Sequence, residues 1–224
     1  MQFNFFNNAS DDSETALTLP DGLRYQRELI TPSEEVALLS RVRELPFKEF
    51  DFHGYKGKRR TVSFGWQYEF SGAGRLRKAD DIPEFLLGLR KHAAAFARME
   101  PEALQHVLVI EYGPGAGIGW HSDKPVFGEV IGVSLLAPCV LRFRRKIEEE
   151  PEGKRGKGKK GNGVKGKGKQ LKGNGKRKWE RVNLFAEPRS AYHLSGPARS
   201  EWQHSILRVD ELRYSITFRN MRED

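Results

Sequence analysis

Residues 111–123 read E-Y-G-P-G-A-G-I-G-W-H-S-D. A run of Gly and Pro separates an apolar stretch that ends at Tyr112 from a short segment that closes on His121 and Asp123. Such a run punctuates the chain as a turn between two strands. On a strand, residues i and i+2 point to the same face, so His121 and Asp123 present an imidazole and a carboxylate to one point. Two ligands of one metal ion need that spacing. An ordinary polar strand end would use the same triplet, and a bare H-x-D arises by chance in many chains. What lies around the triplet has to decide between the two.

Downstream of residue 105 the pattern is short apolar runs broken by Gly and Pro. The strand candidates are 106–112, 117–121, 130–136, 140–144, 179–185, 190–195 and 212–218. Upstream, 31–45 opens with Thr31-Pro-Ser33 and acidic residues before apolar positions at helical spacing, a capped helix. A second helix is predicted over 82–99, where Ile82, Phe85, Leu86, Leu89, Ala93 and Phe96 form one apolar stripe. Two helices followed by many short strands predict an α+β fold, a β-sandwich or jelly roll with the helices packed on one side.

The last strand, Arg213-Tyr-Ser-Ile-Thr-Phe-Arg219, alternates sharply. Tyr214, Ile216 and Phe218 belong against an apolar layer, while Arg213, Ser215, Thr217 and Arg219 form the other face. Solvent exposure would explain that polar face. Two guanidinium forks spaced along a strand just after His204 also suit a small dicarboxylate. If His204, from W-Q-H-S (202–205), joins His121 and Asp123, the set is two His and one carboxylate with three positions open, the arrangement of mononuclear non-haem Fe(II) oxygenases. Oxygenases of this type use a dicarboxylate, 2-oxoglutarate.

Composition sets the outer limits. The 224 residues suit one large domain, and 38% hydrophobic with 11% aromatic residues marks a globular chain. No apolar run reaches the ~18–20 residues that cross a bilayer. The start, Met1-Gln-Phe-Asn-Phe-Phe6, lacks the features of a secretory signal. The single cysteine, Cys139, excludes an intrachain disulfide and fits a reducing compartment, cytoplasmic or, in a eukaryote, nuclear. Residues 1–20 are expected to be a flexible leader. Gln2 to Phe6 resembles, weakly, the short peptides that dock on sliding clamps; a terminal strand or unstructured tail is the plainer reading.

The net charge of +9 comes from one place. Residues 151–178 hold ten Lys, two Arg, one Glu and nine Gly, a net of +11, leaving 27 basic and 29 acidic side chains elsewhere. So polar a segment is expected to be a disordered basic insertion, and a mobile polycation attracts phosphate backbones. Segment 46–80 interleaves Tyr55, Arg59, Arg60, Trp66 and Tyr68 with further basic and aromatic residues. That mixture suits a surface that holds phosphates and stacks bases, although the alternation also suits a half-buried strand.

The ordered set E-Y-G-P-G-A-G-I-G-W-H-S-D, V-I-G-V-S-L, L-R-F-R-R, R-S-A-Y-H-L-S-G-P-A-R-S-E-W-Q-H-S-I and R-Y-S-I-T-F-R closely resembles the AlkB family of Fe(II)/2-oxoglutarate dioxygenases. The resemblance covers roughly 55–220 apart from the insertion. It implies a double-stranded β-helix (jelly roll) core, N-terminal helices on one face and a nucleotide-recognition lid over 46–80, in a single domain of residues 21–224. It implies His121, Asp123 and His204 as iron ligands, with O2 and 2-oxoglutarate as co-substrates. Arg213, helped by Tyr112, would anchor the distal carboxylate of 2-oxoglutarate, and Arg219 the carboxylate near the metal. Ser215 joins that set, although the family often has Asn there. Ile110 likewise replaces an Asn of some members, so two amide contacts are lost.

The activity implied is hydroxylation of a methyl group on a base nitrogen, with succinate and CO2 formed and formaldehyde lost. Trp66, Tyr68 and Tyr55 would hold a flipped or single-stranded base, with Arg59 and Arg60 on its phosphates. The implied partner is single-stranded DNA or RNA, tRNA included, and the protein is expected to be a monomer away from membranes. Lys58 to Tyr68 is also similar to family members that hydroxylate a tRNA wobble uridine. A protein-directed oxygenase and an inactive nucleic-acid-binding module are the remaining alternatives. Of the other histidines, His193 is expected in the core or behind the ligands, His106 and His92 are read as structural, and His53 falls in the lid segment.

Overall fold

The alternation of β-branched and aromatic residues on the C-terminal strands produces two stacked antiparallel layers. In chain order the elements of the computed structural model are β1 (Leu23–Gln26), α1 (Pro32–Val42), β2 (Lys48–Phe52), β3 (Tyr55–Phe64), β4 (Trp66–Glu69), β5 (Arg75–Lys78) and α2 (Glu84–Ala97). After a 3-10 turn at Pro101–Ala103 come β6 (Leu104–Tyr112), β7 (Ile118–His121), β8 (Phe127–Leu135), β9 (Cys139–Lys146), β10 (Trp179–Ala186) and β11 (Ala191–Leu194). The chain ends with α3 (Gly196–Ser200), β12 (Gln203–Ile206) and β13 (Arg213–Met221). The structure describes residues 18–222 apart from 53–54, 70–74 and 148–177. Most of the expected leader and all but Lys178 of the expected basic insertion therefore lie outside the described residues, as does His53.

Seven strands form the larger sheet in the order β1-β11-β8-β13-β6-β3-β2, and four form the smaller in the order β10-β9-β12-β7. The larger sheet has two buried faces. Val107 and Val109 of β6, Ile131, Val133 and Leu135 of β8, and Tyr214, Ile216 and Phe218 of β13 pack against Leu38, Leu39 and Val42 of α1 and Leu86, Leu89, Ala93 and Ala94 of α2. The other face meets the smaller sheet through Ile110, Tyr112, Val130, Leu141, Phe143, Leu184, Trp202 and Ile206. This is a jelly roll with both N-terminal helices on one face, the architecture the sequence predicts.

Local rules account for the boundaries. Thr31 caps α1, its hydroxyl accepting from the Glu34 amide while the Glu34 carboxylate accepts from the Thr31 amide, a reciprocal capping box. Helix α2 ends in a left-handed turn at Arg98, three residues before Pro101. The expected lid segment 46–80 supplies four strands. β2 and β3 extend the larger sheet beyond β6, and β4 pairs with β5 in a separate hairpin. No helix among the described residues is long and apolar enough to cross a membrane.

Candidate active site

The register of the smaller sheet brings the distant histidines together. β12 runs antiparallel to β7 with His204 directly opposite His121. Their rings lie 4.2 Å apart between centroids. Asp123, two residues past His121, reaches the same point, with its Oδ2 3.6 Å from His204 Nε2. Nδ1 of His121 is 2.9 Å from the Gly119 carbonyl, which it meets as a donor and so leaves Nε2 for another partner. No trio of His, Cys, Asp or Glu among the described residues forms a closed ligand cluster as it stands.

Protonation suits a cation here. Burial pushes His204 down to about 4 and lowers His121 as well, so both imidazoles are neutral near pH 7 with lone pairs to give. Burial alone would raise the Asp123 carboxyl, but the surrounding basic groups, Arg219 foremost with His204, His121 and Arg199, together outweigh it and hold the group well below the usual carboxylate range. Arg219 donates from Nε (3.1 Å) and Nη2 (2.8 Å) to the same oxygen, Oδ1. Oδ2 is buried and has no hydrogen-bond partner. An unmet carboxylate oxygen facing neutral imidazoles costs stability unless a cation satisfies it. The donor set fits a divalent metal.

The polar face of β13 lies inside the molecule. Arg213, Ser215, Thr217 and Arg219 are all buried between the sheets. Arg213 donates through Nη2 to Ser134 Oγ at 2.9 Å and lies over the Tyr112 ring, 4.7 Å from its centroid. Its Nε and Nη1 are buried without partners. Guanidinium stays protonated, so this is a buried cation with two open donors, which a carboxylate fork would fill. Burial raises the Tyr112 phenol, against Arg213 and a hydrogen bond with Ser215, and keeps it protonated as a donor. The residues present fit both a metal ion and a dicarboxylate.

The structure adds supporting residues to which the sequence assigns no part in the chemistry. Ser134 sits within the apolar run of β8. The Tyr192 ring lies over Gly132, where a Cβ would meet it at 2.2 Å, and burial pushes its phenol well up. Only glycine lets that ring close over the strand. His106, lowered by burial and then by Arg219, places Nδ1 3.3 Å from Arg219 Nη1 and so backs the arginine that holds Asp123. Arg199 donates to the carbonyls of Lys124, Phe127 and Gly128 at 2.7–2.8 Å, fixing the loop that follows Asp123. His193 bridges Arg24 (2.8 Å) and Glu129 (2.6 Å), a satisfied group behind the sheet.

The basic and aromatic residues of 46–80 divide. Arg59 is opposite Tyr112 in the β3–β6 ladder and is partly buried beside the interior. Arg60 points to the other face, where it makes a two-pronged pair with Glu111 at 2.7 and 2.9 Å and lies over Phe47. Trp66, half-buried, begins the β4–β5 hairpin and not a strand that carries His121 or His204. Tyr55 and Tyr68 are on β3 and β4, and their side chains lie outside the described residues.

A family model described as the 2OG-Fe(II) oxygenase superfamily matches residues 22–219. The chain is 25% identical over 223 residues to the Arabidopsis thaliana "Alkylated DNA repair protein ALKBH8 homolog", covering 94% of this chain and 58% of that protein. It is 27% identical over 135 residues to the Danio rerio "Probable RNA/DNA demethylase ALKBH6", covering 59% of this chain and 55% of that one. The chain thus spans little more than half the length of these two relatives. Among solved structures, that of OsALKBH1 aligns with a TM-score of 0.56 at 17% identity, over 91% of this chain and 100% of that one. A Pseudomonas putida prolyl-4-hydroxylase aligns at 0.51 and 13%, over 91% and 94%. Those two share the fold. The matched span and the relatives together identify this chain as a member of the 2OG-Fe(II) oxygenase superfamily, AlkB-like, a family of dioxygenases that work with Fe(II), 2-oxoglutarate and O2.

Proposed function

We propose that this chain oxidatively demethylates alkylated bases in single-stranded DNA or RNA. The observation that carries the reading is the interior face of β13, where one guanidinium orders the Asp123 carboxylate and the other is buried with two unmet donors. A nucleic-acid substrate is supported by the relatives named for alkylated-DNA repair and RNA/DNA demethylation. In this reading His121, Asp123 and His204 hold the iron, which supplies the activation of dioxygen that no side chain can provide.

The chain's own groups do the rest. Burial keeps His121 and His204 unprotonated. Arg219 fixes the rotamer of Asp123 and leaves one oxygen for the cation. Arg213, with the Tyr112 phenol and Ser134 beside it, binds the distal carboxylate of 2-oxoglutarate, and Ser215 holds the phenol. The apolar wall of Ile110, Leu141, Phe143 and Ile206 keeps water away. One atom of O2 ends in succinate as CO2 leaves, and the other converts N–CH3 to N–CH2OH. That hemiaminal breaks its C–N bond, and the proton of its hydroxyl returns to the base nitrogen as formaldehyde departs. Arg59 of the 46–80 segment lies beside Tyr112 at the edge of this chemistry, and Trp66, Tyr68 and Tyr55 are assigned to base stacking.

A second reading, hydroxylation of a tRNA wobble uridine without methyl loss, is supported by the similarity of Lys58–Tyr68 to such enzymes. One experiment separates the two. Protein loaded with Fe(II) without oxygen is given 2-oxoglutarate, air, methylated oligonucleotides and bulk tRNA, and the nucleosides are weighed by mass spectrometry. Loss of a methyl supports the first reading and gain of one oxygen the second; no change in any nucleoside overturns both.

A further inference from the structure

The outer face of the smaller sheet carries positive charge that no described carboxylate neutralises. Leu141 and Phe143 of β9 point into the core, so Arg142 and Arg144 point outward. The Arg144 guanidinium carbon lies 4.4 Å from the Trp120 ring centroid and 4.3 Å from that of Trp179, between the two. Arg142 lies 4.9 Å from Trp120. Nε of Arg144 donates to Gln203 Oε1 at 2.8 Å, and Nε of Arg142 to Ser205 Oγ at 3.0 Å. These contacts use the flat faces and the Nε atoms. The planes are fixed, and the terminal Nη edges remain for oxyanions.

The register shows what is unusual. β10 places Arg181 directly opposite Arg144. Like charges opposite one another on one face destabilise an antiparallel pair. One step along the same ladder, on the other face, Arg145 is opposite Glu180 and pairs with it at 2.8 Å and with Glu201 at 3.0 Å. The same two strands neutralise their arginine on one face and leave three on the other. Arg142 and Arg144 are two residues apart, about 6.7 Å along a strand, close to the step between successive phosphates of an extended strand. The segment between β9 and β10 adds to the same sign, since residues 151–178 carry net +11 in the sequence. Phe185 is the exposed large apolar residue of β10, so the face lacks the apolar area a lipid surface would engage.

We infer that Trp120, Arg142, Arg144, Trp179 and Arg181 form a second contact surface for the phosphate backbone of single-stranded nucleic acid. It lies on the reverse of the strands that carry His121 and His204, so it contributes affinity and not chemistry. The inference rests on the proposed function for the class of polymer alone.

The test is binding of fluorescent oligothymidylate to the full chain across a salt series, for wild type and for Arg142→Gln/Arg144→Gln/Arg181→Gln. Succinate release from 2-oxoglutarate without nucleic acid reports an intact interior. The triple variant is expected to bind about tenfold more weakly, with a log–log salt slope shallower by about 2, given about 0.7 per phosphate contact on single strands. Unchanged affinity and slope, or no binding by wild type, overturns the inference. If the triple variant loses succinate release through misfolding, the exposed Arg181→Gln alone decides, and a slope that does not fall by about 0.7 overturns it. Iodouridine crosslinks to Trp120 or Trp179 support it, and crosslinks confined to the β3–β5 region overturn it. Binding to phosphatidylserine vesicles without oligothymidylate binding also overturns it. Binding here with no base modified sinks the demethylase reading and leaves this surface standing. A modified base with a salt slope indifferent to the triple variant does the reverse.

Discussion

On β13 the residues Tyr214, Ile216 and Phe218 are 2%, 0% and 0% exposed, while Arg213, Ser215, Thr217 and Arg219 on the opposite face are 2%, 5%, 4% and 8% exposed. Burial does not distinguish the faces; satisfaction does. The first face meets apolar side chains of α1, α2 and the neighbouring strands. The second carries two guanidinium groups, one holding Asp123 and one with two empty donors. Burying an unpaired charge is costly, so the second face weakens the ligand-free fold that the first secures. A protein keeps such a face when a bound anion and cation will offset it.

Asp123→Asn breaks the comparison most severely. The amide oxygen can still accept from Arg219, so the fold should hold, but the charge that faces the imidazoles is gone. Succinate formation is expected to fall to background with circular dichroism unchanged; retained turnover would remove Asp123 from the metal site. Asp123→Ala would be a poorer probe, because it strands Arg219 without its partner. Arg213→Met comes next. KM for 2-oxoglutarate should rise by about tenfold to a hundredfold, the equivalent of roughly 1.4–2.8 kcal/mol. The ligand-free protein should melt no lower than wild type and up to about 1–4 kcal/mol more stable, since a buried unpaired cation is replaced by an apolar chain. A large loss of stability would mean that Arg213 has an anionic partner in the folded chain, beyond its hydrogen bond to Ser134.

Much of this contrast can be read in the sequence, and the unread part has a common cause. The period of two in 213–219 separates the faces of β13, and i, i+2 spacing joins His121 to Asp123 before any fold is known. Periodicity cannot say that both faces are covered, because that depends on the smaller sheet closing over the second face. Nor can it say that His204 stands opposite His121, a matter of register between strands eighty residues apart. β1 and β12, four residues each, fall outside the strand candidates read from the sequence. Ser134 and Tyr192 sit in ordinary apolar runs, and their place in the interior comes from their neighbours across the ladder, Ser215 and Gly132. Arg59 and Arg60 look equivalent in the chain, yet alternation sends one beside Tyr112 and the other to Glu111.

The apolar face makes the opposite prediction. Ile216→Ala should cost about 2–5 kcal/mol in chemical denaturation, because the fully buried site is enclosed by helices and strands that cannot collapse. Turnover per folded molecule should be unchanged. A fall in kcat without a fall in stability would mean that the two faces are coupled.

Acid should act first on the interior. His106, His121, His193 and His204 are all lowered by burial, His204 to about 4. Their folded values lie below the unfolded value of 6.5, so the unfolded chain takes up more protons as pH falls below it. The metal-free protein is therefore expected to keep its full stability above about pH 6.5 and lose it progressively toward pH 4. Melting temperatures that stay flat over that window would show these histidines to be solvated.

The finest probe is Ser215, the residue of the polar face that departs from the family's common Asn. Its hydroxyl bonds the Tyr112 phenol, which burial keeps protonated above Arg213. Ser215→Ala removes one neutral hydrogen bond, worth about 0.5–1.5 kcal/mol, and leaves every charge in place. If Tyr112 acts through its hydroxyl on 2-oxoglutarate, loosening it should raise KM for 2-oxoglutarate about two- to fivefold with kcat unchanged. Ser215→Asn should restore or lower KM, because the amide regains a donor toward the carboxylate. A serine that only fills space would give the reverse pattern, with alanine harmless and the larger asparagine disruptive. The signs of the two effects on KM therefore test whether this face is built for a dicarboxylate or only tolerates its own polar groups.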